Sequence, residues 1–236
     1  MRRLIVALDA VAALRDACGR EAPGLLRTAV LAEGAGADAI RVGVNEAMRP
    51  VRESELHDLR RVVGCLELRM APSPSLLKLA LEVRPDRVVL AAEPRMHRFD
   101  APPLDPDSLR AGVPAALRAL GEAGIPARVR IAPDAESVKA VRAAGCDAVE
   151  FSTISTVDLP EHEREAAWDR FGETSRLAAK LRMATGAAGA LETTSIRELL
   201  EAAPVVDRVA AGREWAARAL LVGVERAVGE LRAVLV

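Results

Sequence analysis

Short aliphatic or β-branched runs alternate along the chain with longer segments whose apolar residues recur every three or four positions. The runs fall near residues 3–8, 38–44, 64–69, 86–91, 127–132, 147–152, 181–185 and 207–211. Between the third and fourth, Leu76, Leu77, Leu79, Ala80, Leu81 and Val83 trace one helical face, and Val138, Val141 and Ala144 do the same between the fifth and sixth. The joins repeat as well. Ala35-Gly36-Ala37-Asp38-Ala39-Ile40-Arg41-Val42 parallels Ala144-Gly145-Cys146-Asp147-Ala148-Val149-Glu150-Phe151, each with Gly where a residue just past a helix needs a positive φ. The stretches Asp86–Leu90 and Asp207–Ala210 lack that glycine and follow Pro85 and Pro204, which stop the incoming helix. Eight strands divided by helices, without hairpin turns, predict a parallel sheet closed as one (β/α)8 barrel spanning residues 1–236 as a single domain. The irregular stretch from Glu93 to Asp107 carries four prolines and follows the fourth strand, where an active-site loop is expected.

Composition narrows the partners. Half the residues are apolar and 28% are charged, enough for a large core under a solvated shell. With 33 basic and 34 acidic residues the net charge is -1, which offers no overall attraction to nucleic acid or an anionic membrane and leaves a small molecule as the expected partner. Tyrosine is absent, and only three Phe and two Trp occur, so platforms for stacking bases or sugars are scarce. Cys18, Cys65 and Cys146 lie far apart, consistent with reduced cytoplasm and not with a disulfide framework or a zinc site. The opening MRRLIVALDA has an apolar run too short for a signal peptide or membrane span. No carboxylate or histidine spacing suits a metal, and no G-x-G-x-x-G follows the first strand, so neither metal nor cofactor is expected.

Site candidates cluster at the predicted C-terminal strand ends, where barrels of this class hold their chemistry. Gly212 and Arg213 follow strand eight, and Thr185-Gly186 follows strand seven, the usual positions of a phosphate cradle; each is also compatible with an ordinary turn. Glu67 and Arg69 alternate on strand three and so share a face, the interior one, because Leu66, Leu68 and Met70 occupy the other. With Glu93, Arg95 and Glu150 at neighbouring strand ends they form either a structural ion-pair network or a substrate-binding set. Asp9 is an acid/base group or a helix N-cap. His97 in the loop after strand four is the one histidine placed to reach the mouth; Cys18 reads as a nucleophile or a small buried residue.

Read in order, LIVALDAVAALRDACG, AVLAEGAGADAIRV, NEAMRPVRESELHDLRRVV and ELRMAPSPSLLKLALEVRPDRVVLAAEPR resemble the pyridoxine 5′-phosphate synthase family, and the resemblance continues through GIPARVRIAPDAESVKAVRAAGCDAVEFST to VAAGREWAARALLVGVERAVGEL. It implies a (β/α)8 barrel assembled as a homo-oligomer that condenses 1-deoxy-xylulose 5-phosphate with aminoacetone phosphate. The family's proton carriers, a His on strand two, a Glu on strand three and a His after strand seven, are matched by Gly43, Arg69 and Gly189. The family's Asn and His beside the first strand's Asp are matched by Ala7 and Ala10, an Arg at the end of its first loop by Cys18, and a substrate-binding Arg and His after strand two by Asn45 and Pro50. Asp9, Arg15, Glu46, Arg49, Glu93, Arg95, Glu150, Thr153 and Gly212 match the family pattern, Gly212 at its phosphate-loop glycine. Three readings stand: a diverged enzyme that binds an anionic metabolite through Arg69, Arg95 and Arg213 and moves protons with Asp9, Glu46, Glu67, Glu93 or Glu150; a non-catalytic ligand-binding or assembly relative; and the family's own reaction carried by relocated groups.

Overall fold

The computed structural model describes residues 1–19, 21–93 and 101–236. In chain order the elements are β1 Arg3–Ala7, α1 Asp9–Cys18, α2 Leu25–Gly34, β2 Ala39–Gly43, α3 Glu53–Val62, β3 Leu66–Met70, α4 Pro74–Val83, β4 Arg87–Leu90, α5 Pro106–Ala111 and α6 Val113–Glu122. They continue with β5 Ala127–Ile131, α7 Ala135–Ala143, β6 Ala148–Ser152, α8 Ile154–Val157, α9 Glu161–Lys180, β7 Ala184–Ala188, α10 Thr193–Ala202, β8 Arg208–Ala211, α11 Arg213–Val222 and α12 Val224–Leu235. All eight strands pair in parallel in sequence order, and β8 returns to β1, so the sheet closes into the expected (β/α)8 barrel.

The repeated joins have a physical basis. Gly36 and Gly145 take φ of 107° and 88°, and Arg84, at a join without glycine, adopts φ 51° itself. The aspartates that follow tie strands together. Asp38 Oδ2 accepts the Leu4 N–H of β1 at 2.7 Å, and Asp86 Oδ2 accepts the Leu66 N–H of β3 at 2.8 Å. Each satisfies a strand-end amide that has no ladder partner.

One face of each strand meets the helical layer. Leu4, Val6, Ile40, Val42, Leu66, Leu68, Val88, Leu90, Val129, Ile131, Val149 and Phe151 are buried there, and Phe151, Phe171 and Trp168 pack edge to face with centroids 5.4 Å apart. The other face lines the barrel interior, where Ile5, Ala39, Ala188 and Ala210 form a small apolar cluster. Charged side chains fill much of the remainder.

Strand seven departs from expectation. The run 181–185 was expected to be the strand and Gly186 to begin a loop, whereas β7 covers 184–188 and Gly186 pairs with Glu150 and Arg208 inside the sheet. Arginines facing it from β5 and β8 explain the small residues: a Cβ on Gly186 would meet Arg128 Nη1 at 3.4 Å and Arg208 Cβ at 3.5 Å. The stretch 101–105 leads into α5 and folds inward, burying Ala101 and Leu104. No described helix is long and apolar enough to cross a membrane.

Candidate active site

Parallel strands carry side chains at alternate positions into the barrel, so Arg41 on β2, Glu67 and Arg69 on β3, Arg87 on β4, Arg128 and Arg130 on β5, Glu150 on β6 and Arg208 on β8 converge there. Arg41 is the bridge. Its guanidinium donates to Glu67 Oε2 at 2.8 and 3.2 Å and to Glu150 at 2.6 and 3.0 Å. Glu67 also accepts from Arg87 at 3.1 Å and from Arg208. Glu150 also accepts from Arg130 at 2.6 and 2.9 Å, and the remaining Arg130 nitrogen donates to the Ala101 carbonyl at 3.0 Å.

These bonds decide what the two glutamates can do. Burial pushes the Glu67 carboxyl up, but Arg41 and Arg208 more than reverse it and hold it below the usual carboxylate range. Glu150 is lowered as well: burial opposes its charge, and Arg41 and Arg130 overcome that opposition. Both are structural anions at neutral pH, poorly suited to carry protons.

Towards the C-terminal mouth a second pair stands apart. Asp9, in the first turn of α1, is buried, and its Oδ1 accepts the Gly43 N–H at 2.7 Å and Arg69 Nη2 at 3.3 Å. The expected cap is not formed, because Leu8 occupies the N-cap position and Asp9 reaches across to β2. Asp9 Oδ2 is buried with no hydrogen-bond partner among the described residues. A Cβ built on Gly43 would fall 2.4 Å from both Arg69 Nη2 and Asp9 Oδ1, so the pair fills the volume a side chain at 43 would need. At Gly189 (φ 115°), a Cβ would lie 2.7 Å from Ile154 Cγ1. Thr153, fully buried at the end of β6, donates its hydroxyl to the Gly189 carbonyl and its N–H to Ala188 O at 3.0 Å.

The remaining expected site residues separate. Glu46 is exposed and accepts from Ser73 Oγ at 2.6 Å and Ser75 Oγ at 2.5 and 2.6 Å, which tie it to the start of α4; the two hydroxyls lower its pKa. Glu93 is exposed just past β4, outside the network it was expected to join. Arg95 and His97 lie outside the described residues. Cys18 is exposed at the end of α1, not buried. Gly212 leads into α11, Arg213 is its first residue, and Arg213 Nε donates to Glu214 Oε1 at 2.6 Å. Trp215 anchors this turn: its buried indole N–H donates to the Ala7 carbonyl on β1 at 2.9 Å. Sequence reasoning missed Arg41, Arg87, Arg128, Arg130 and Arg208 as interior groups, although Arg128-Val129-Arg130 carries the same alternation that placed Glu67 and Arg69 inward.

The family model described as Pyridoxal phosphate biosynthesis protein PdxJ matches residues 4–236. A pyridoxine 5′-phosphate synthase of Geobacter metallireducens is 33% identical over 233 residues, covering 98% of this chain and 97% of the relative. Another, of Aquifex pyrophilus, is 32% identical over 234 residues, covering 97% of this chain and 99% of its own length. Among solved structures, 3-keto-L-gulonate-6-phosphate decarboxylase from Vibrio cholerae superposes with a TM-score of 0.62 at 17% identity over 100% of this chain and 98% of that one, a likeness of fold alone. A family match over nearly the whole barrel, with relatives of the same length, means that the chain belongs to the PdxJ family of pyridoxal phosphate biosynthesis proteins.

Proposed function

We propose that this barrel binds a phosphorylated or otherwise anionic small metabolite at its C-terminal mouth and performs chemistry other than the family's condensation. The observation that carries this reading is the Asp9–Arg69 pair lying where a side chain on residue 43 would stand. The family's His at that position has no room while the pair persists, and its Glu on strand three is here Arg69, a group that stays protonated. Glu67 and Glu150, held ionised by arginine, do not replace the lost proton carriers. Asp9 remains the acid/base candidate, with one carboxylate oxygen uncommitted among the described residues.

Anion binding is supported by the turn from Gly212 into α11, whose first N–H groups and positive dipole end lie after strand eight, with Arg213 able to swing to a phosphoryl group. Arg69 supplies a second cation at the mouth. Assembly as a homo-oligomer is supported by Leu220 and Leu221 on α11, 71% and 80% exposed, and sedimentation tests it.

Thermal-shift measurements against phosphorylated metabolites, including pyridoxine 5′-phosphate and 1-deoxy-xylulose 5-phosphate, test the binding: a rise in Tm that Arg213→Ala removes is expected. Complementation of a strain lacking pyridoxine 5′-phosphate synthase tests the chemistry. No growth without added vitamin is expected, and growth would overturn the altered-chemistry reading.

A further inference from the structure

The barrel interior is out of charge balance. Arg41, Arg87, Arg128, Arg130 and Arg208 form ion pairs only with Glu67 and Glu150, while Asp9 is taken by Arg69, so among the described residues five interior cations share two paired carboxylates, an excess of three positive charges. All but Arg87 are nearly fully buried. A buried cation without a counter-charge costs several kcal/mol, and protein interiors pair such groups.

The excess gathers at the N-terminal end, opposite the proposed active site. Arg87 and Arg208 open β4 and β8, and Arg128 is the second residue of β5. Among the described residues Arg128 has no carboxylate ion-pair partner, and its one hydrogen bond goes from Nη1 to the Val149 carbonyl at 3.3 Å. Its Nε, and the Nε of Arg208, are buried with no hydrogen-bond partner among the described residues. Burial, then the charge of Arg208, push the Arg128 guanidinium down to about 10, and the attraction of Asp207 does not reverse this. The walls there are small: Gly186 lies between Arg128 and Arg208, and Ala184, exposed, precedes it on β7. Arg87 keeps 22% of its side chain in solvent, and Cys65, half-buried just before β3, lies within electrostatic reach of Arg87 and Arg208.

We propose that the N-terminal end of the barrel is a second anion site, in which Arg87, Arg128 and Arg208 hold a small tetrahedral oxyanion of the phosphate or sulfate class beside Gly186. The anion neutralises the charge excess and receives N–H groups that nothing in the described chain accepts. Arginine suits the role, since its planar fork binds oxyanions bidentately. Charge alone would be met by any anion; the fan of guanidinium donors selects one with several acceptor oxygens.

Titration calorimetry with inorganic phosphate tests this on the full chain. The Arg213→Ala variant should retain phosphate binding at the N-terminal end, and adding Arg128→Met should weaken it at least tenfold. Arg128→Met removes an unpaired buried charge, so its fold should survive, and circular dichroism verifies that. If the variant fails to fold, alkylation of Cys65 in the Arg213→Ala protein gives the answer: phosphate should slow it by an order of magnitude, whereas chloride at equal ionic strength should not. Phosphate binding that is absent in Arg213→Ala, or undiminished by Arg128→Met, overturns the proposal, as does Cys65 alkylation indifferent to phosphate. Loss of binding in Arg213→Ala at the C-terminal mouth alone bears on the proposed function and leaves the N-terminal site standing.

Discussion

Replacing Glu67 by Gln keeps the shape of the side chain and removes its charge. Arg87 and Arg208 then lose their only carboxylate contacts among the described residues, while Arg41 keeps Glu150. Removing one partner of a buried ion pair costs about 3–5 kcal/mol, because the other charge is left desolvated. Against a typical domain stability of about 5–15 kcal/mol this is a large fraction. For a chain of this length each kcal/mol moves Tm by about 2–4 °C, so Glu67→Gln should melt roughly 6–20 °C below the wild type. Urea unfolding gives the free energy directly, and an unchanged m-value shows that the native state is retained. Adding Arg208→Met should recover part of the loss, since it removes one orphaned cation. The acid limb supplies an independent check. Both interior glutamates have folded pKa values below the unfolded value of about 4.3, so their stabilisation is complete above that value and is lost as the pH falls through the folded ones. Wild-type stability should therefore be level from neutrality to about pH 5 and then decline, with a shallower decline in Glu67→Gln. A loss below about 1 kcal/mol would refute the claim that the interior depends on this carboxylate.

Gly43→Ala should force Asp9 and Arg69 apart and cost about 1–3 kcal/mol in urea titration; a neutral result would mean that the pair does not hold this volume. Thr153→Val removes the hydroxyl that Gly189 O accepts and should cost about 1–2 kcal/mol, with the carbonyl left unsatisfied between β6 and β7. Gly43→His should not restore the family's reaction in a direct assay of pyridoxine 5′-phosphate formation, because the imidazole meets the same two side chains.

The barrel was legible because helix-period and strand-length segments alternate eight times, and because the Ala35-Gly36-Ala37-Asp38 join does two jobs visible in one dimension: a positive φ after the helix and a carboxylate for a neighbouring strand's amide. Strand seven was placed early because Ala184-Thr185-Gly186-Ala187-Ala188 has almost no strand propensity of its own; the large side chains facing it are what make small residues necessary. The inward direction of Glu67 and Arg69 followed from alternation, but the partner of each did not. Glu67 binds Arg41, Arg87 and Arg208, up to 141 positions away, and Arg69 binds Asp9. Period two specifies a face; which residues meet across a barrel depends on the stagger of eight strands. Glu150 was read as a strand-end group, yet it pairs with Arg130 and Gly186 in mid-strand, below the mouth.

Trp215 has an optical consequence. The chain has no tyrosine and only two tryptophans, so its near-ultraviolet emission comes almost wholly from Trp168 and Trp215. Trp168 is packed against Phe171 and donates to Glu198, remote from the first turn of α11. Trp215 is two residues beyond Arg213, with its indole hydrogen-bonded to β1. A Trp168→Phe protein is thus a natural single-fluorophore sensor: whatever seats itself after strand eight should announce itself in the colour of the emitted light, without a label.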